Sequence, residues 1–161
     1  NWLKKNSFNF KLISNKFFFL INPGCSNKNK QKRWDAEKYA KICSYLLSKN
    51  ILPIVIGSNV DKKAIEIINN QENRILNLIN KSPLDTIYQL SIKSIGAISN
   101  DTGPAHLIAA SGCKIHLILS NFSNAKTVIP QGNNVSYTQK ENISDISVND
   151  IIDEIKTIFK I

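Results

Sequence analysis

The sequence predicts an α/β domain with a Rossmann-like, mostly parallel sheet and helices on both faces. Short apolar runs that are typical of buried strands alternate along the chain with segments of helical periodicity. Polar turns follow several of the apolar runs, as expected where strands of one sheet end at a common edge. Strands that are separated by helices form right-handed βαβ units, and such units build a parallel sheet covered on both faces.

Each element follows from its own local pattern. Strands are expected at the apolar runs 17–21, 52–56, 75–79, 95–99 and 114–119, with a weaker one at 134–137. Helices are expected at 35–49, 61–69, 83–92 and 148–160, and one more begins near residue 103.

Three of the helix starts carry capping signals. Asp61 is a candidate N-cap for the second helix. Residues 82–85 (Ser-Pro-Leu-Asp) match a capping box with proline at the first helical position. Ser147, with Asp150 three residues later, is the expected cap of the last helix.

The length of 161 residues fits one domain with a sizeable core, and the hydrophobic content of 42% agrees with it. No apolar run approaches the roughly 18 residues that cross a bilayer. We expect residues 1–15 to be a linker or helix remnant and residues 16–161 to form the domain. The chain begins with Asn1 and has no methionine, so we expect it to be a piece of a longer protein.

The formal net charge is +9, with a local concentration at residues 28–33 (Lys-Asn-Lys-Gln-Lys-Arg). Such a charge fits a phosphorylated ligand, a nucleic acid or an anionic membrane surface, and does not choose among them. Heavy use of Asn, Lys and Ile is also typical of a biased genome. The three cysteines are an odd number without C-x-x-C spacing, which argues against a disulfide framework or a zinc site and favours reduced thiols in the cytosol.

Ligands of open parallel sheets bind at the carboxyl ends of the strands, near the point where the strand order reverses. Three polar turns follow predicted strands and are expected to meet there. They are 22–26 (Asn-Pro-Gly-Cys-Ser), 57–59 (Gly-Ser-Asn) and 100–103 (Asn-Asp-Thr-Gly).

The third turn leads directly into a helix N-terminus. It contains a carboxylate, a hydroxyl, a glycine that lets a ligand approach the backbone, a proline suited to the first helical position and an imidazole. These are Asp101, Thr102, Gly103, Pro104 and His106. A helix N-terminus presents free N–H groups and a partial positive charge, so this turn favours an anion such as a pyrophosphate.

The fingerprints G-x-G-x-x-G and G-x-x-x-x-G-K-[ST] are both missing from the sequence, which disfavours an ordinary NAD domain or a P-loop enzyme. A paired D-x-D is missing too. What remains fits a nucleotide diphosphate. Backbone N–H groups at Thr102 and Gly103 and a cation from Lys32 or Arg33 would meet the phosphates, and Asp61 suits the ribose hydroxyls.

Several segments carry a family resemblance in their order and spacing. They are 22–24 (Asn-Pro-Gly), 32–34 (Lys-Arg-Trp) with Tyr39, 55–58 (Val-Ile-Gly-Ser) with Asp61, 100–106 (Asn-Asp-Thr-Gly-Pro-Ala-His) and 109–112 (Ala-Ala-Ser-Gly). Over roughly residues 16–132 the chain resembles the C-terminal half of glycosyltransferase family 9, the ADP-heptose:lipopolysaccharide heptosyltransferases.

The resemblance implies a GT-B enzyme with two Rossmann-like domains. The C-terminal domain, the one present here, would bind an ADP-sugar, while a missing N-terminal domain would hold a lipopolysaccharide-type acceptor and the catalytic base. The family inverts the anomeric centre without a metal or other cofactor. Because the catalytic base would lie in the missing domain, this piece alone is expected to be inactive. The implied location is the cytoplasm, with peripheral association at the inner membrane as an option and no nucleic acid as partner.

By position, the resemblance implies that Lys32 binds phosphate, that Thr102 and Gly103 supply a backbone phosphate cradle, and that Asp101 faces the donor sugar. Asp61 lies near the place of a ribose-binding acidic residue, although the alignment there is loose. Further candidates for donor binding are His106, Gly24, Cys25, Ser26, Arg33, Gly57, Ser58 and Pro104.

The chain departs from the family pattern at two turns. Asn80 stands where a glycine is usual, and asparagine tolerates a positive φ. Leu119-Ser120 replaces an aromatic-glycine pair, which leaves the shape of the loop 120–127, and with it the donor sugar, open.

Other interpretations stay open beside this one. The chain is alternatively a basic α/β module for RNA or an anionic membrane. Lys32 and Arg33 are alternatively only solvated, and His106 is as well explained by a structural role as by ligand contact. His116 and Trp34 are expected to be structural, and Cys25 is not expected to be a nucleophile because no base neighbours it in sequence.

Overall fold

A computed structural model describes residues 8–24 and 30–161. Its strands are β1 (Phe18–Asn22), β2 (Leu52–Gly57), β3 (Leu76–Ile79), β4 (Ala97–Ser99), β5 (Ile115–Ser120) and β6 (Val135–Lys140). Its α-helices are α1 (Ala36–Ser48), α2 (Lys62–Gln71), α3 (Leu84–Lys93), α4 (Gly103–Ala110), α5 (Ala125–Val128) and α6 (Val148–Phe159). Short 3-10 helices lie at Phe10–Ile13, Lys30–Lys32, Asn59–Asp61 and Ile143–Asp145.

The strands form one six-stranded sheet in the order β3-β2-β1-β4-β5-β6, and each pairing within it is parallel. The predicted Rossmann-like fold class is therefore confirmed. The strand order reverses between β1 and β4. The chain runs from β1 outward to β2 and β3, and then places β4, β5 and β6 on the other side of β1. Loops after these two strands diverge and leave a crevice at the carboxyl edge, the place where such sheets bind ligands.

Helices cover both faces of the sheet, as predicted. Alternate residues of β1 face opposite layers, because successive side chains of a strand point to opposite sides. Phe19 and Ile21 pack with α1, α2 and α6. Phe18 and Leu20 pack with α3 and α4. All five residues of β1 are buried, so the central strand sits inside two apolar layers.

The capping prediction for the last helix is confirmed, and the one for 82–85 is wrong. The Ser147 hydroxyl accepts from the backbone N–H of Asp150, whose carboxylate accepts from the Ser147 N–H. At α3, in contrast, Pro83 is the N-cap and the Ser82 hydroxyl donates to the Leu78 carbonyl at 3.1 Å. The hydroxyl bonds back to the end of β3 and so is turned away from the helix.

The sequence patterns missed the shortest elements, and the bounds of the six strands differ from the predicted ones by one to three residues. The single turn of α5 and the 3-10 helices have too few residues for a periodic signal. The strand β6 extends three residues beyond the predicted 134–137, to Lys140. The described part of 1–15 contains the 3-10 helix Phe10–Ile13, and Ile13 is buried against the α3–α4 layer. The domain boundary at residue 16 stays a prediction.

The two described cysteines, Cys43 and Cys113, are buried and free. Burial raises the pKa of both thiols, that of Cys113 to about 12, so they stay protonated near neutral pH. Within 8–24 and 30–161, none of the helices has both the length and the apolar character needed to cross a membrane.

His116 has a structural role, as predicted. It lies in β5, is 1% exposed, and its ring nitrogens are 2.8 Å from the Ser136 hydroxyl and 2.9 Å from the Thr138 hydroxyl of β6. Burial lowers the pKa of the imidazole to about 4. The imidazole is therefore neutral at physiological pH and links the last two strands of the sheet.

We expect the free energy of unfolding to fall by about 2 to 3 kcal/mol between pH 6.5 and pH 4 because of His116. In the unfolded chain the imidazole takes up a proton as the pH falls below about 6.5, whereas the folded imidazole resists protonation until about pH 4. Urea titrations at a series of pH values would measure this loss. His116→Gln should lose less stability in that window, while the exposed His106→Gln serves as control. Identical pH profiles for the unaltered chain and His116→Gln would contradict the assignment.

Candidate functional site

A cleft of about 630 Å³ opens at the carboxyl ends of β1, β2 and β4, where the sequence places its three polar turns. It is lined by ten of the predicted site residues, namely Gly24, Lys32, Gly57, Ser58, Asp61, Asp101, Thr102, Gly103, Pro104 and His106. Asn22, from the first of the three polar turns, lines it as well, with six residues that the sequence did not single out for the site, namely Ile56, Val60, Ser82, Pro83, Leu84 and Ile87.

Asn100 holds the loops of the cleft together. Its side chain is fully buried, and its amide nitrogen donates to the carbonyls of Pro23 at 3.0 Å and Gly24 at 3.3 Å. Its amide oxygen accepts from the Tyr39 hydroxyl at 2.9 Å and from the Trp34 backbone N–H at 3.4 Å. One amide thus satisfies both its donor and acceptor capacity and connects the β1 loop, the start of α1 and the β4 loop.

A second buried amide supports the start of α4. Asn22, at the end of β1, donates to the Ser99 hydroxyl at 2.8 Å and to the Thr102 hydroxyl at 2.7 Å. The Thr102 hydroxyl accepts from Asn22 and makes no capping hydrogen bond to α4. The side chain fixes the loop, and the N-terminal N–H groups of α4 remain without a side-chain cap.

Lys32 and Asp101 form an ion pair at one end of the cleft. The Lys32 Nζ lies 2.8 Å from Asp101 Oδ2, and the two side chains are 19% and 13% exposed. Asp101 Oδ2 also accepts from the Ser123 hydroxyl at 3.2 Å, which comes from the loop after β5. A lysine beside a helix N-terminus is placed to meet an anion once it turns from Asp101.

Asp61 and Arg33 form a second pair beside the first. Arg33 Nη2 lies 3.4 Å from Asp61 Oδ1, while Asp61 Oδ2 accepts from the backbone N–H of Ser58 at 3.1 Å and from its hydroxyl at 3.2 Å. Asp61 occupies the N-cap position of α2 as predicted, but its carboxylate does not cap that helix. It bonds back to the β2 loop and is 5% exposed.

The glycines at two strand ends make room for this carboxylate. A Cβ at Gly24 would lie 3.0 Å from Asp61 Oδ2, and a Cβ at Gly57 would lie 3.3 Å from it. Gly103 differs from both, because a Cβ there would meet no other protein atom within 4 Å. Packing therefore requires small residues at Gly24 and Gly57, whereas the open space above Gly103 belongs to the cleft.

The two ends of the cleft differ in chemistry. The end at Lys32, Asp101 and Thr102 is polar and adjoins the N-terminus of α4. The other end, formed by β2 and the segments after β2 and β3 on the far side of β1 from β4, is lined by the apolar side chains Ile56, Val60, Pro83, Leu84 and Ile87. Sequence periodicity assigns Leu84 and Ile87 to a helix but cannot tell that the first turn of α3 borders a ligand cavity. The whole cleft suits a ligand that has an anionic group at one end and a flat apolar group at the other.

The remaining predicted residues have different surroundings. His106 is exposed, one turn into α4, and lines the cleft. Arg33 reaches the site through Asp61. Cys25 and Ser26 lie outside the described residues. Trp34 is a packing residue, as expected, since it is 1% exposed and its indole N–H donates to the Ile146 carbonyl at 2.9 Å.

The structure describes both positions at which the chain departs from the family pattern, Asn80 and Leu119-Ser120. Asn80 has a φ of 56°, the left-handed conformation in which asparagine replaces glycine at low cost. At the last residue of β5, the Ser120 hydroxyl donates to the Gln31 carbonyl at 3.1 Å, so the end of β5 bonds to the segment that carries Lys32.

In the described residues no group of three or more His, Cys, Asp or Glu side chains is placed to hold a metal ion. The described ionic pairs of the cleft also balance, with Lys32 against Asp101 and Arg33 against Asp61. The positive potential that an anionic ligand meets there thus depends on the backbone N–H groups at the start of α4 and on how far Lys32 can turn from Asp101 to the ligand.

Comparison with known proteins gives one family. The sequence profile described as Glycosyltransferase family 9 (heptosyltransferase) matches residues 3–128. Lipooligosaccharide heptosyltransferase 2 of Campylobacter jejuni is 33% identical over 93 residues, which are 55% of this chain and 29% of that protein.

Solved structures share the fold at low identity. The ADP-heptose lipopolysaccharide heptosyltransferase II of E. coli superimposes with a TM-score of 0.82 at 21% identity, over 94% of this chain and 49% of that one. A family 9 glycosyl transferase of Veillonella parvula superimposes with a TM-score of 0.84 at 19% identity, over 93% of this chain and 48% of that one. The E. coli heptosyltransferase WaaC with ADP superimposes with a TM-score of 0.80 at 15% identity, over 91% of this chain and 45% of that one. The chain thus spans about half the length of these structures.

Proposed function

The chain belongs to glycosyltransferase family 9, and from that membership we propose that its cleft binds the ADP part of an ADP-heptose or related ADP-sugar donor. The observation that carries the proposal is the position of the Lys32–Asp101 pair beside the N-terminus of α4, in one cleft with an apolar end. The cleft has a polar end that suits a diphosphate and an apolar end that suits a nucleoside base. A structural neighbour, the E. coli heptosyltransferase WaaC, was solved with ADP.

The diphosphate belongs at the polar end in this proposal. Backbone N–H groups at the start of α4 point along the helix axis and carry its partial positive charge. Gly103 leaves the space above them open, and Lys32 adds a full positive charge beside them. Phosphate oxygens in this position would accept from N–H groups that have no acceptor within the helix.

The adenosine belongs at the other end. A purine ring has two apolar faces, and Val60, Leu84 and Ile87 offer an apolar surface of that kind. We keep Asp61 as the candidate for the ribose hydroxyls, because its carboxylate lines the cleft between the two ends. Its bonds to Arg33 and Ser58 hold the carboxylate in place for such a contact.

We propose an inverting transfer without a metal, in which this domain stabilises the leaving diphosphate. As the bond to the sugar breaks, negative charge grows on the phosphate, and Lys32 with the α4 N–H groups would meet it. We assign neither Asp61 nor Asp101 as the general base, because each carboxylate is bound to a cation. The base and a lipopolysaccharide-type acceptor are assigned to a further domain, which the family's structures, about twice as long, have room for.

The binding proposal is tested by calorimetric titration of the chain with ADP, with adenosine and with a single-stranded RNA at increasing salt. We expect ADP to bind more tightly than adenosine. Binding to the RNA backbone would decline steeply with salt, since it releases counterions. If RNA bound tightly and ADP did not, the alternative of a basic RNA-binding module, which the net charge of +9 suggests, would replace this proposal.

Gly103→Ala gives a test of phosphate contact that is separate from folding. A Cβ at this position meets no other protein atom within 4 Å, so we expect the free energy of unfolding to change by less than about 0.5 kcal/mol. The same Cβ stands where the diphosphate would lie, and ADP affinity should fall about tenfold, equivalent to roughly 1.4 kcal/mol. Adenosine affinity should change much less. Unchanged ADP affinity would mean that the diphosphate does not lie over Gly103.

A further inference from the structure

The end of β5 and the loop that follows it bond to the two sides of the Lys32–Asp101 pair. Ser123 donates its hydroxyl to Asp101 Oδ2 at 3.2 Å, on the acidic side of the pair. Ser120 donates its hydroxyl to the Gln31 carbonyl at 3.1 Å, next to Lys32 itself. Ser120 is fully buried and Ser123 is 2% exposed, so both donor hydroxyls are held inside the protein.

One side chain of the neighbouring strand holds this loop in shape. The amide nitrogen of Gln139 donates to the Ser120 carbonyl at 3.1 Å and to the Ser123 carbonyl at 3.0 Å. Gln139 lies in β6 and pairs with Leu119 in the β5–β6 ladder. It does not line the cleft, and the loop lies between it and the ion pair.

We propose that Gln139 is a positioning residue for donor binding, which acts through Ser123 and Asp101 to set where Lys32 presents its charge. This inference rests on the proposed function, since it takes Lys32 as the phosphate-binding cation. Asp101 orients Lys32 only if the carboxylate is itself held, and Ser123 holds it. Gln139 fixes Ser123 by bonding both carbonyls of the turn. The second layer of hydrogen bonds around a charged ligand-binding group commonly tunes affinity in this way.

The physical basis is that Asp101 competes with the ligand for Lys32. An Asp101 carboxylate fixed at one end by Ser123 leaves Lys32 between that carboxylate and the cleft. A carboxylate released from Ser123 can take up other positions and draw Lys32 away from the space that the diphosphate occupies. Loss of Gln139 should therefore weaken the binding of a charged ligand and leave a neutral one almost unchanged.

The experiment compares Gln139→Ala, Ser123→Ala and Lys32→Ala with the double variant Lys32→Ala/Gln139→Ala. We expect Gln139→Ala to weaken ADP about fivefold and adenosine less than twofold. In the double variant, Gln139→Ala should add no further loss, because its effect passes through Lys32. Gln131→Ala, at an exposed glutamine in the loop before β6, is the matched control and should bind ADP like the unaltered chain.

Ser123→Ala covers the case in which the Gln139 variant does not fold, since it removes only the hydroxyl that touches Asp101. It should weaken ADP to a similar degree. In the ligand-free chain, the carbon NMR signal of the Asp101 carboxylate should move in both variants and stay in place in Gln131→Ala.

The outcomes separate the two proposals. If Lys32→Ala weakened ADP binding but Gln139→Ala and Ser123→Ala did not, Gln139 would have no positioning role, and the proposed function would stand. A further loss from Gln139→Ala on top of Lys32→Ala would also overturn the inference, because its effect would then bypass Lys32. Failure of the unaltered chain to bind ADP would overturn the proposed function, and the inference with it.

Discussion

Asn100→Ala is expected to lower the free energy of unfolding by about 3 to 5 kcal/mol. The variant removes an amide that bonds four groups in two segments, the β1 loop and the start of α1, and the loss of a hydrogen bond to a buried polar group is costly. It leaves the Tyr39 hydroxyl, the Trp34 N–H and the carbonyls of Pro23 and Gly24 without that partner. For a domain of this size the melting temperature should fall by about 10 °C.

Urea unfolding followed by fluorescence would measure this loss, with Asn70→Ala as the matched control. Asn70 is exposed near the end of α2, and its replacement should change stability by less than about 0.5 kcal/mol. If Asn100→Ala and Asn70→Ala lost equal stability, the amide would not be the link between the loops. The Asn100 variant should also bind ADP poorly below its melting temperature, because the β1 and β4 loops line the cleft.

Lys32→Ala is expected to weaken ADP binding by about 10- to 100-fold, the range of a hydrogen bond to a charged group. Two effects act in the same direction. The diphosphate loses a cation, and Asp101, which the lysine now pairs at 2.8 Å, becomes an unpaired negative charge beside the ligand. Adenosine has no phosphate and should lose much less affinity.

Calorimetry with ADP and adenosine would measure both losses, and Lys62→Ala controls for the change in net charge. Lys62 is 66% exposed on α2, and its partner Glu66 is on the surface. Its replacement should leave ADP affinity within a factor of about two, since an exposed charge is screened by salt. Equal losses of ADP and adenosine affinity in Lys32→Ala would remove the lysine from the phosphate role.

Local patterns in the sequence determined most of the secondary structure and the fold class. The apolar runs that become β1, β2 and β5 are buried on both faces, so they lack alternation and stand out as continuous segments. The capping box at Ser147 works because both of its bonds form within one turn. The same pattern did not form a capping box at Ser82, because the Ser82 hydroxyl bonds instead to the Leu78 carbonyl of β3.

The sequence also determined which turns meet at the cleft, because the carboxyl ends of parallel strands share one edge whatever the details of packing. The polar residues Lys32, Asp101 and Thr102 follow from that rule and line one cleft as expected. Their binding roles stay predictions. The pairing of Lys32 with Asp101 was not foreseeable, since 69 residues separate them and no local rule joins them.

Only the tertiary structure decided how the site is held. Asn100 belongs to a motif that the sequence made visible, yet its partners lie on two other segments, the β1 loop and the start of α1. No sequence pattern points to Gln139, because a polar residue in a half-buried strand is indistinguishable in sequence from a solvent-facing one. Periodicity and capping depend on neighbours within about four residues of the chain. The hydrogen bonds that position Lys32 join residues many positions apart, and they exist only once the sheet has set the register between β5 and β6.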